Sequence, residues 1–152
     1  MCTCILQALR EYKPFHKLKN LRIDRPPCLD WDYAVGFFDG ASQDMGKKCG
    51  VGSVLKFPAL GTFNMKMNCG YGTNTNRELL ALWCMLYFEN VLKVTRLMMA
   101  GDSNFIIDWF NNDNNLQVLA LQPWMEKIRR LCGSFIQLKA HHIYRTYNKA
   151  AN

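Results

Sequence analysis

The 152-residue sequence lacks several features that would assign it to a membrane or secreted class. No apolar run approaches the roughly 18 residues that a membrane span needs. No C-x-x-C pair occurs among the seven scattered cysteines, so a zinc ribbon is not expected. The stretch from Met1 to Leu9 lacks the basic leader and small-residue cleavage site of a secretory signal. We therefore expect an intracellular protein, nuclear or cytoplasmic and not secreted, with reduced thiols and no membrane partner.

Charged residues are few, and acids are scarcer than bases. Charged residues make up 20% of the chain and apolar residues 49%, which is an ordinary mixture for a globular domain. A chain of this length can bury the core of one domain. The 19 lysines and arginines exceed the 12 acids, which gives a net charge of +7. A basic surface favours polyanions such as nucleic acids, although many basic proteins bind none.

The first 30 residues differ from the rest of the chain. They show little periodicity and end near the proline pair Pro26 and Pro27, which is typical of an extended linker. We predict an N-terminal extension over residues 1–30, whose fold the pattern leaves open, and one domain over residues 31–152.

Within the domain, the hydrophobic pattern predicts elements in the order βββαβααβ. The third strand alternates most clearly, with Phe63 and Met65 on one face and Asn64 and Lys66 on the other. The first helix has apolar residues three and four positions apart, as an amphipathic helix does. The predicted strands are residues 33–39, 49–57, 61–71, 94–100 and 135–144, and the predicted helices are residues 74–89, 104–110 and 123–132.

The connections between these elements predict the sheet. Strands joined by short turns pair antiparallel, whereas strands joined through helices pair parallel with a right-handed crossover. We therefore predict an α/β fold with one mixed five-stranded sheet in the order 3-2-1-4-5. Strands 1–3 are antiparallel, strands 1, 4 and 5 are parallel, and helices cover the faces.

Three acids are expected to meet at one edge of this sheet. Asp39 ends the first strand and Asp102 follows the fourth, its predicted parallel neighbour, where open sheets place their sites. Glu78 lies one turn into the first helix among apolar neighbours. Each acid alone has an ordinary interpretation as a loop, cap or first-turn residue. Together, however, such carboxylates need cations, and oxygen ligands suit Mg²⁺ or Mn²⁺.

Five short motifs in order resemble a type 1 ribonuclease H domain. The resemblance is to the plant "reverse transcriptase-like" subgroup and the ribonuclease H domains of plant non-LTR retrotransposons, and it covers about residues 31–152. The motifs are Phe38-Asp39-Gly40-Ala41-Ser42, Cys49-Gly50-Val51-Gly52, Thr73-Asn74-(x)3-Glu78-Leu79-Leu80-Ala81-Leu82, Gly101-Asp102-Ser103 and His142-Ile143-Tyr144-Arg145-(x)2-Asn148.

The resemblance implies a divalent-metal-dependent endonuclease that hydrolyses the RNA strand of RNA–DNA hybrids, leaving a 3′-hydroxyl and a 5′-phosphate. It implies that Asp39, Glu78 and Asp102 are catalytic acids that hold two Mg²⁺ or Mn²⁺ ions in a two-metal mechanism. It also implies that His142 assists proton transfer or product release. A structural imidazole in the last strand remains the alternative for His142.

The same resemblance implies a nucleic-acid interface. Asn74 matches a position that contacts the hybrid in the minor groove, and a role as helix cap is compatible with that contact. We also assign Gly40, Ser42 and Arg77 to nucleic-acid binding. Arg77 departs from the family pattern, which has a small residue there, so a solvated side chain is the alternative.

Asn152 is a further departure, since it stands where the resemblance expects a fourth metal-binding acid. Its amide still offers an oxygen to a metal but brings no charge. The sequence also stops where the resemblance expects another helix, so we expect a truncated last helix. These features favour an alternative function, a catalytically impaired nucleic-acid-binding remnant of a retrotransposon ribonuclease H domain. We expect a monomer in either case.

A third possibility is an integrase or resolvase that has the same sheet, because fold does not settle function. The spacing from Asn74 to Glu78 and the turn from Asp39 to Ser42 favour ribonuclease H.

Overall fold

A computed structural model describes residues 33–112, 118–149 and 151 of the chain. The extension over residues 1–30 and the metal ligand predicted at Asn152 lie outside the described residues. The strands are β1 (Ala34–Gln43), β2 (Lys48–Phe57), β3 (Gly61–Cys69), β4 (Arg96–Gly101) and β5 (Gln137–His142). The helices are α1 (Asn74–Val91), α2 (Asn104–Asn112) and α3 (Gln122–Cys132).

The five strands form one sheet in the order β3-β2-β1-β4-β5, which confirms the predicted topology. β1 pairs antiparallel with β2, and β2 pairs antiparallel with β3. β1 also pairs parallel with β4, and β4 with β5. The hairpins thus build one half of the sheet and the crossovers the other, as chain connectivity requires.

The predicted end of the first strand at Asp39 was wrong. β1 continues to Gln43, because its antiparallel pairing with β2 runs on to the partners Gln43 and Lys48. Its parallel pairing with β4 stops earlier, at Phe38 and Gly101. Asp39 therefore lies inside a strand, at the point where one of its two neighbouring strands ends.

The core lies on both faces of the sheet. Helices α1, α2 and α3 pack on one face, where Phe38, Leu79, Met99 and Met125 are fully buried. A smaller apolar cluster occupies the other face. It contains Val35, Phe37, Val54, Met98, Ala100, Ile143 and Ala151.

Helix α1 has defined signals at both ends. The side chain of Thr73 caps its start by accepting a hydrogen bond from the Asn76 backbone N–H at 3.3 Å. Lys93 follows its last turn with φ near 62°, in the left-handed region that commonly ends helices. Among the described residues, no helix is both long and apolar enough to cross a membrane.

Candidate metal centre and nucleic-acid interface

Three carboxylates meet where β1 and β4 separate. Asp39 comes from β1, Asp102 directly follows β4, and Glu78 comes from the first turns of α1. One ligand oxygen from each residue lies within 4.8 Å of the others. The convergence expected from the strand order is therefore present in the structure.

The close approach of α1 to β1 brings Glu78 to Asp39. Gly40 makes this approach possible, because a Cβ at Gly40 would clash with the backbone of Arg77 and Glu78. The third residue of the first motif therefore has a packing reason to be glycine. Its predicted contact with nucleic acid stays a prediction.

Burial and mutual repulsion raise the pKa values of two of these acids. Burial, followed by the charges of Asp39 and Asp102, raises the pKa of Glu78 to about 9. Burial and the charge of Asp102 likewise raise the pKa of Asp39. A backbone hydrogen bond from Gly40 opposes both increases. Without a bound cation, the protein therefore does not fully compensate the negative charge of these three carboxylates.

The donor set fits a hard divalent cation. Asp39 Oδ1 and Glu78 Oε2 are buried and accept no hydrogen bond, which is costly unless a cation satisfies them. All three residues offer carboxylate oxygens, which Mg²⁺ and Mn²⁺ prefer. Asp39, Glu78 and Asp102 can therefore hold such an ion.

Arg145 brings a positive charge into contact with this cluster. Its Nε donates to Asp102 Oδ2 at 3.0 Å, while 75% of its side chain remains exposed. Sequence reasoning included Arg145 in a motif but gave it no role. In the sequence, the only indication of a role for Arg145 was its position three residues after His142. The pairing of Arg145 with Asp102 is visible only in the fold.

His142 lies beside the same acid. It ends β5, and its Nε2 lies 3.2 Å from the Asp102 backbone oxygen. Because a carbonyl oxygen only accepts, a hydrogen bond here requires the proton on Nε2 and leaves Nδ1 free to accept in the neutral ring. The ring thus has a structural contact, and its catalytic role stays a prediction.

Asn148, which the fifth motif included without a role, is a further anchor. Its side chain is 1% exposed and donates from Nδ2 to the backbone oxygen of Phe38 at 2.8 Å. Phe38 directly precedes Asp39, so this bond ties the segment after β5 to the strand that carries a metal-site acid.

Ser42 and Asn74 form one hydrogen-bonded unit at the predicted interface. The Ser42 backbone N–H donates to Asn74 Oδ1 at 2.8 Å, and Ser42 Oγ donates to the Gly72 backbone oxygen at 2.7 Å. Since Asn74 Oδ1 already accepts from Ser42, the exposed amide offers its Nδ2 donor to a ligand. Ser42 therefore orients the side chain of Asn74. The predicted contact of Ser42 with nucleic acid stays a prediction.

Arg77 turns back toward the loop before α1. Its guanidinium donates to the Tyr71 backbone oxygen and lies where a side chain on Gly72 would be. This contact differs from the freely solvated side chain that was the alternative. The assignment of Arg77 to nucleic-acid binding stays a prediction.

Residues 38–152 match a protein-family model described as "Reverse transcriptase-like", and this span is more than half of the chain. The chain belongs to this family. The span includes the three carboxylates, His142, Arg145 and Asn148. A search of curated protein sequences finds no match.

Solved structures show the same fold at low sequence identity. Ribonuclease H1 from Halobacterium salinarum NRC-1 is similar with a TM-score of 0.72 and 23% identity, covering 78% of this chain and 91% of that chain. The N-terminal ribonuclease H domain of Rv2228c from Mycobacterium tuberculosis gives a TM-score of 0.73 and 20% identity, with coverage of 78% and 92%. LC11-RNase H1, isolated from compost and solved in complex with an RNA/DNA hybrid, gives 0.71 and 20%, with coverage of 78% and 90%. The domain therefore has the ribonuclease H fold.

Proposed function

We propose that this domain is a divalent-metal-dependent endonuclease that hydrolyses the RNA strand of RNA–DNA hybrids. One observation carries the proposal: the cluster of Asp39, Glu78 and Asp102, with ligand oxygens within 4.8 Å and buried oxygens that accept no hydrogen bond. A cluster like this is unstable as a purely structural feature, because like charges in a buried site repel. It is useful where a cation is to be bound.

The family and the structural relatives support the same substrate class. One similar structure, LC11-RNase H1, is described as a complex with an RNA/DNA hybrid. The net charge of +7 favours a polyanionic partner. Assignment to the plant retrotransposon subgroup, the monomeric state and an intracellular location remain predictions.

In this proposal Asp39, Glu78 and Asp102 hold two Mg²⁺ or Mn²⁺ ions, and Asn152 adds an uncharged amide oxygen. When bound, such ions activate water and stabilise the charge on the leaving oxygen of a phosphodiester. Glu78 must lose its proton to act as a ligand, because its pKa in the protein alone is raised to about 9. Arg145 donates to Asp102 Oδ2, so it shares this acid with a bound ion.

The remaining residues position the substrate and handle protons. Asn74, oriented by Ser42, presents an amide donor to the minor groove, where RNA also displays its 2′-hydroxyls. His142 is held next to Asp102 through Nε2, so Nδ1 is the nitrogen available to exchange a proton during product release. Arg145, which is largely exposed beside Asp102, is placed to contact the scissile phosphate.

The direct test is cleavage of an end-labelled RNA–DNA hybrid in Mg²⁺ and in Mn²⁺. We expect the wild-type chain to cleave the RNA strand, and we expect Asp102→Asn to reduce cleavage to background because the centre loses a charged ligand. Asp108→Asn, an acid on the exposed side of α2, serves as the matched control and should cleave like wild type. Equal cleavage by wild type and Asp102→Asn would identify a contaminating nuclease and count against the proposal.

Asn152 favours a second candidate, a module that binds nucleic acid without turnover. Comparison of wild type with Asn152→Asp separates the two functions. Cleavage by both proteins supports an enzyme that needs only three acids. Cleavage by Asn152→Asp alone, with salt-dependent hybrid binding by both, supports the impaired binding module.

A further inference from the structure

A trough of about 340 Å³ opens beside Asp39 on the sheet face opposite the helices. Its floor consists of small residues, Ala41, Gly50 and Gly52, on the paired strands β1 and β2. A flat, glycine-rich strand surface lets another backbone approach closely. None of these floor residues has a direct part in the metal chemistry proposed above.

The strand register places a cation and an amide along one side of the trough. Asp39, Gly52 and Lys66 are successive partners across β1, β2 and β3, so their side chains share one face. Ala41, Gly50 and Asn68 form the parallel row next to it. With strands about 4.8 Å apart, the Cα atoms of Lys66 and Asp39 are roughly 10 Å apart.

The two glycines have different reasons to be small. A Cβ at Gly52 would clash with the Ala151 backbone oxygen, so Gly52 accommodates Ala151, which lines the trough. A Cβ at Gly50 would meet only the Met67 oxygen, at an ordinary 3.7 Å. Packing therefore does not require glycine at position 50, where a strand would gain from a larger residue. The missing side chain keeps the trough open.

We propose that this trough binds the RNA strand next to the scissile phosphate. Lys66 contacts a flanking phosphate, and Asn68 contacts a neighbouring ribose 2′-hydroxyl. These groups match the sugar–phosphate backbone of one RNA strand. A cation binds a phosphate, and an amide can hydrogen-bond a 2′-hydroxyl. Small residues on the floor of the trough leave space for the strand. The inference rests on the proposed function, since it takes the scissile phosphate to lie at Asp39.

Two variants test the trough by different means, with one matched control. Lys66→Gln removes the charge, and Gly50→Val fills the floor with a residue that favours strands. Lys139→Gln is the control, because Lys139 is an exposed strand lysine in the row of Val35 and Met98. That row lies four residues, about 13 Å along the strand, from the row of Asp39.

Binding of a fluorescein-labelled RNA–DNA hybrid is measured at equilibrium in Ca²⁺, because Ca²⁺ takes the same oxygen ligands as Mg²⁺. Cleavage is measured separately in Mg²⁺. We expect Lys66→Gln to weaken binding about fivefold to tenfold and to lower the salt slope by about one. KM should rise while kcat stays near wild type. Gly50→Val should weaken binding without changing the salt slope, and Lys139→Gln should change neither quantity.

A neutral methylphosphonate placed in turn at each RNA position beside the scissile bond then locates the contact. At one position it should remove the difference between Lys66→Gln and wild type, because the two changes delete the same interaction. An additive effect at every position would overturn the phosphate assignment.

The outcomes separate this inference from the proposed function. If wild type cleaves and Lys66→Gln matches it in affinity, salt slope and KM, the trough inference is overturned and the enzyme stands. If no protein cleaves but Lys66→Gln and Gly50→Val lose hybrid binding, the trough stands and the hydrolytic function fails. If circular dichroism shows that Gly50→Val does not fold, Lys66→Gln and the methylphosphonate series decide the question.

Discussion

Asp102 is the residue on which the contacts of the metal centre converge. Its carboxylate faces Asp39 and Glu78 and pairs with Arg145, while its backbone oxygen contacts His142. In the protein alone, Arg145 partly neutralises three acids that repel one another. A divalent ion would do the same more completely, so Arg145 and the ion would neutralise the same negative charge.

At this scale we predict that Arg145→Met increases the affinity for Mg²⁺. The variant removes the positive charge that contacts Asp102, so the three carboxylates repel one another more and the gain from binding an ion is larger. Because the arginine is largely exposed, we expect a modest change of about threefold to tenfold, in line with the small free energy of exposed ion pairs. Isothermal titration calorimetry with MgCl₂ measures it. Weaker binding by Arg145→Met than by wild type would show that Arg145 supports the ion.

At the scale of the element, α1 combines the core, the metal centre and the predicted interface. Its buried face packs on β1 and β2, its first turns carry Asn74 and Glu78, and its last turns bury Glu89 completely. Neither carboxylate oxygen of Glu89 accepts a hydrogen bond. Burial alone raises the pKa of this carboxyl to about 8.

We predict that Glu89 makes the stability of the fold depend on pH. The pKa of Glu89 lies near 8 in the folded chain, above its ordinary value of 4.5. The folded state therefore binds more protons than the unfolded state between these values, and stability falls as pH rises through that window. The full effect is at most about 5 kcal/mol.

Urea unfolding at pH 5 and pH 8 checks this prediction. We expect wild type to lose stability between the two pH values, and we expect Glu89→Gln to lose less, because its side chain does not ionise. Part of the loss should remain in the variant, since the pKa values of Asp39 and Glu78 are also raised. Glu126→Gln, on the exposed side of α3, should behave like wild type. An equal loss in wild type and Glu89→Gln would assign the pH dependence to other groups.

At the scale of the whole molecule, the proposed metal binding depends on folding. The acids of the centre come from β1, α1 and the end of β4, so only the folded chain brings their oxygens within 4.8 Å. A ligand that binds the folded state alone stabilises it by mass action. An ion bound as proposed would therefore stabilise the fold by connecting β1 and the end of β4 to α1.

We predict that Mg²⁺ raises the thermal midpoint of unfolding. At about one hundred times the dissociation constant the gain is about 2.7 kcal/mol, which corresponds to roughly 5–10 °C for a chain of this size. Differential scanning fluorimetry measures the shift, with NaCl of matched ionic strength as the control. Asp102→Asn should lose most of the shift, and an equal shift in both proteins would place the stabilising ion elsewhere.

The sequence by itself determined the class of fold and the principal acids. Alternation in the third strand, helical spacing after Asn74 and the lengths of the connections are local features, and chain connectivity converts them into a sheet order. Asp39 and Asp102 follow from that order, because β1 and β4 are parallel neighbours and their pairing stops one residue before each acid. Glu78 follows from its place one turn into a helix that packs on this sheet.

Only the tertiary structure decided the contacts between residues far apart in the chain. It extended β1 past Asp39, because a strand continues as long as one neighbour supplies hydrogen bonds. It paired Arg145 with Asp102, and the backbone of Ser42 with Asn74, across separations that no local pattern encodes. It also aligned Lys66 with Gly52 and Asp39, since register depends on how three strands meet, and a shift of one residue would send each side chain to the opposite face.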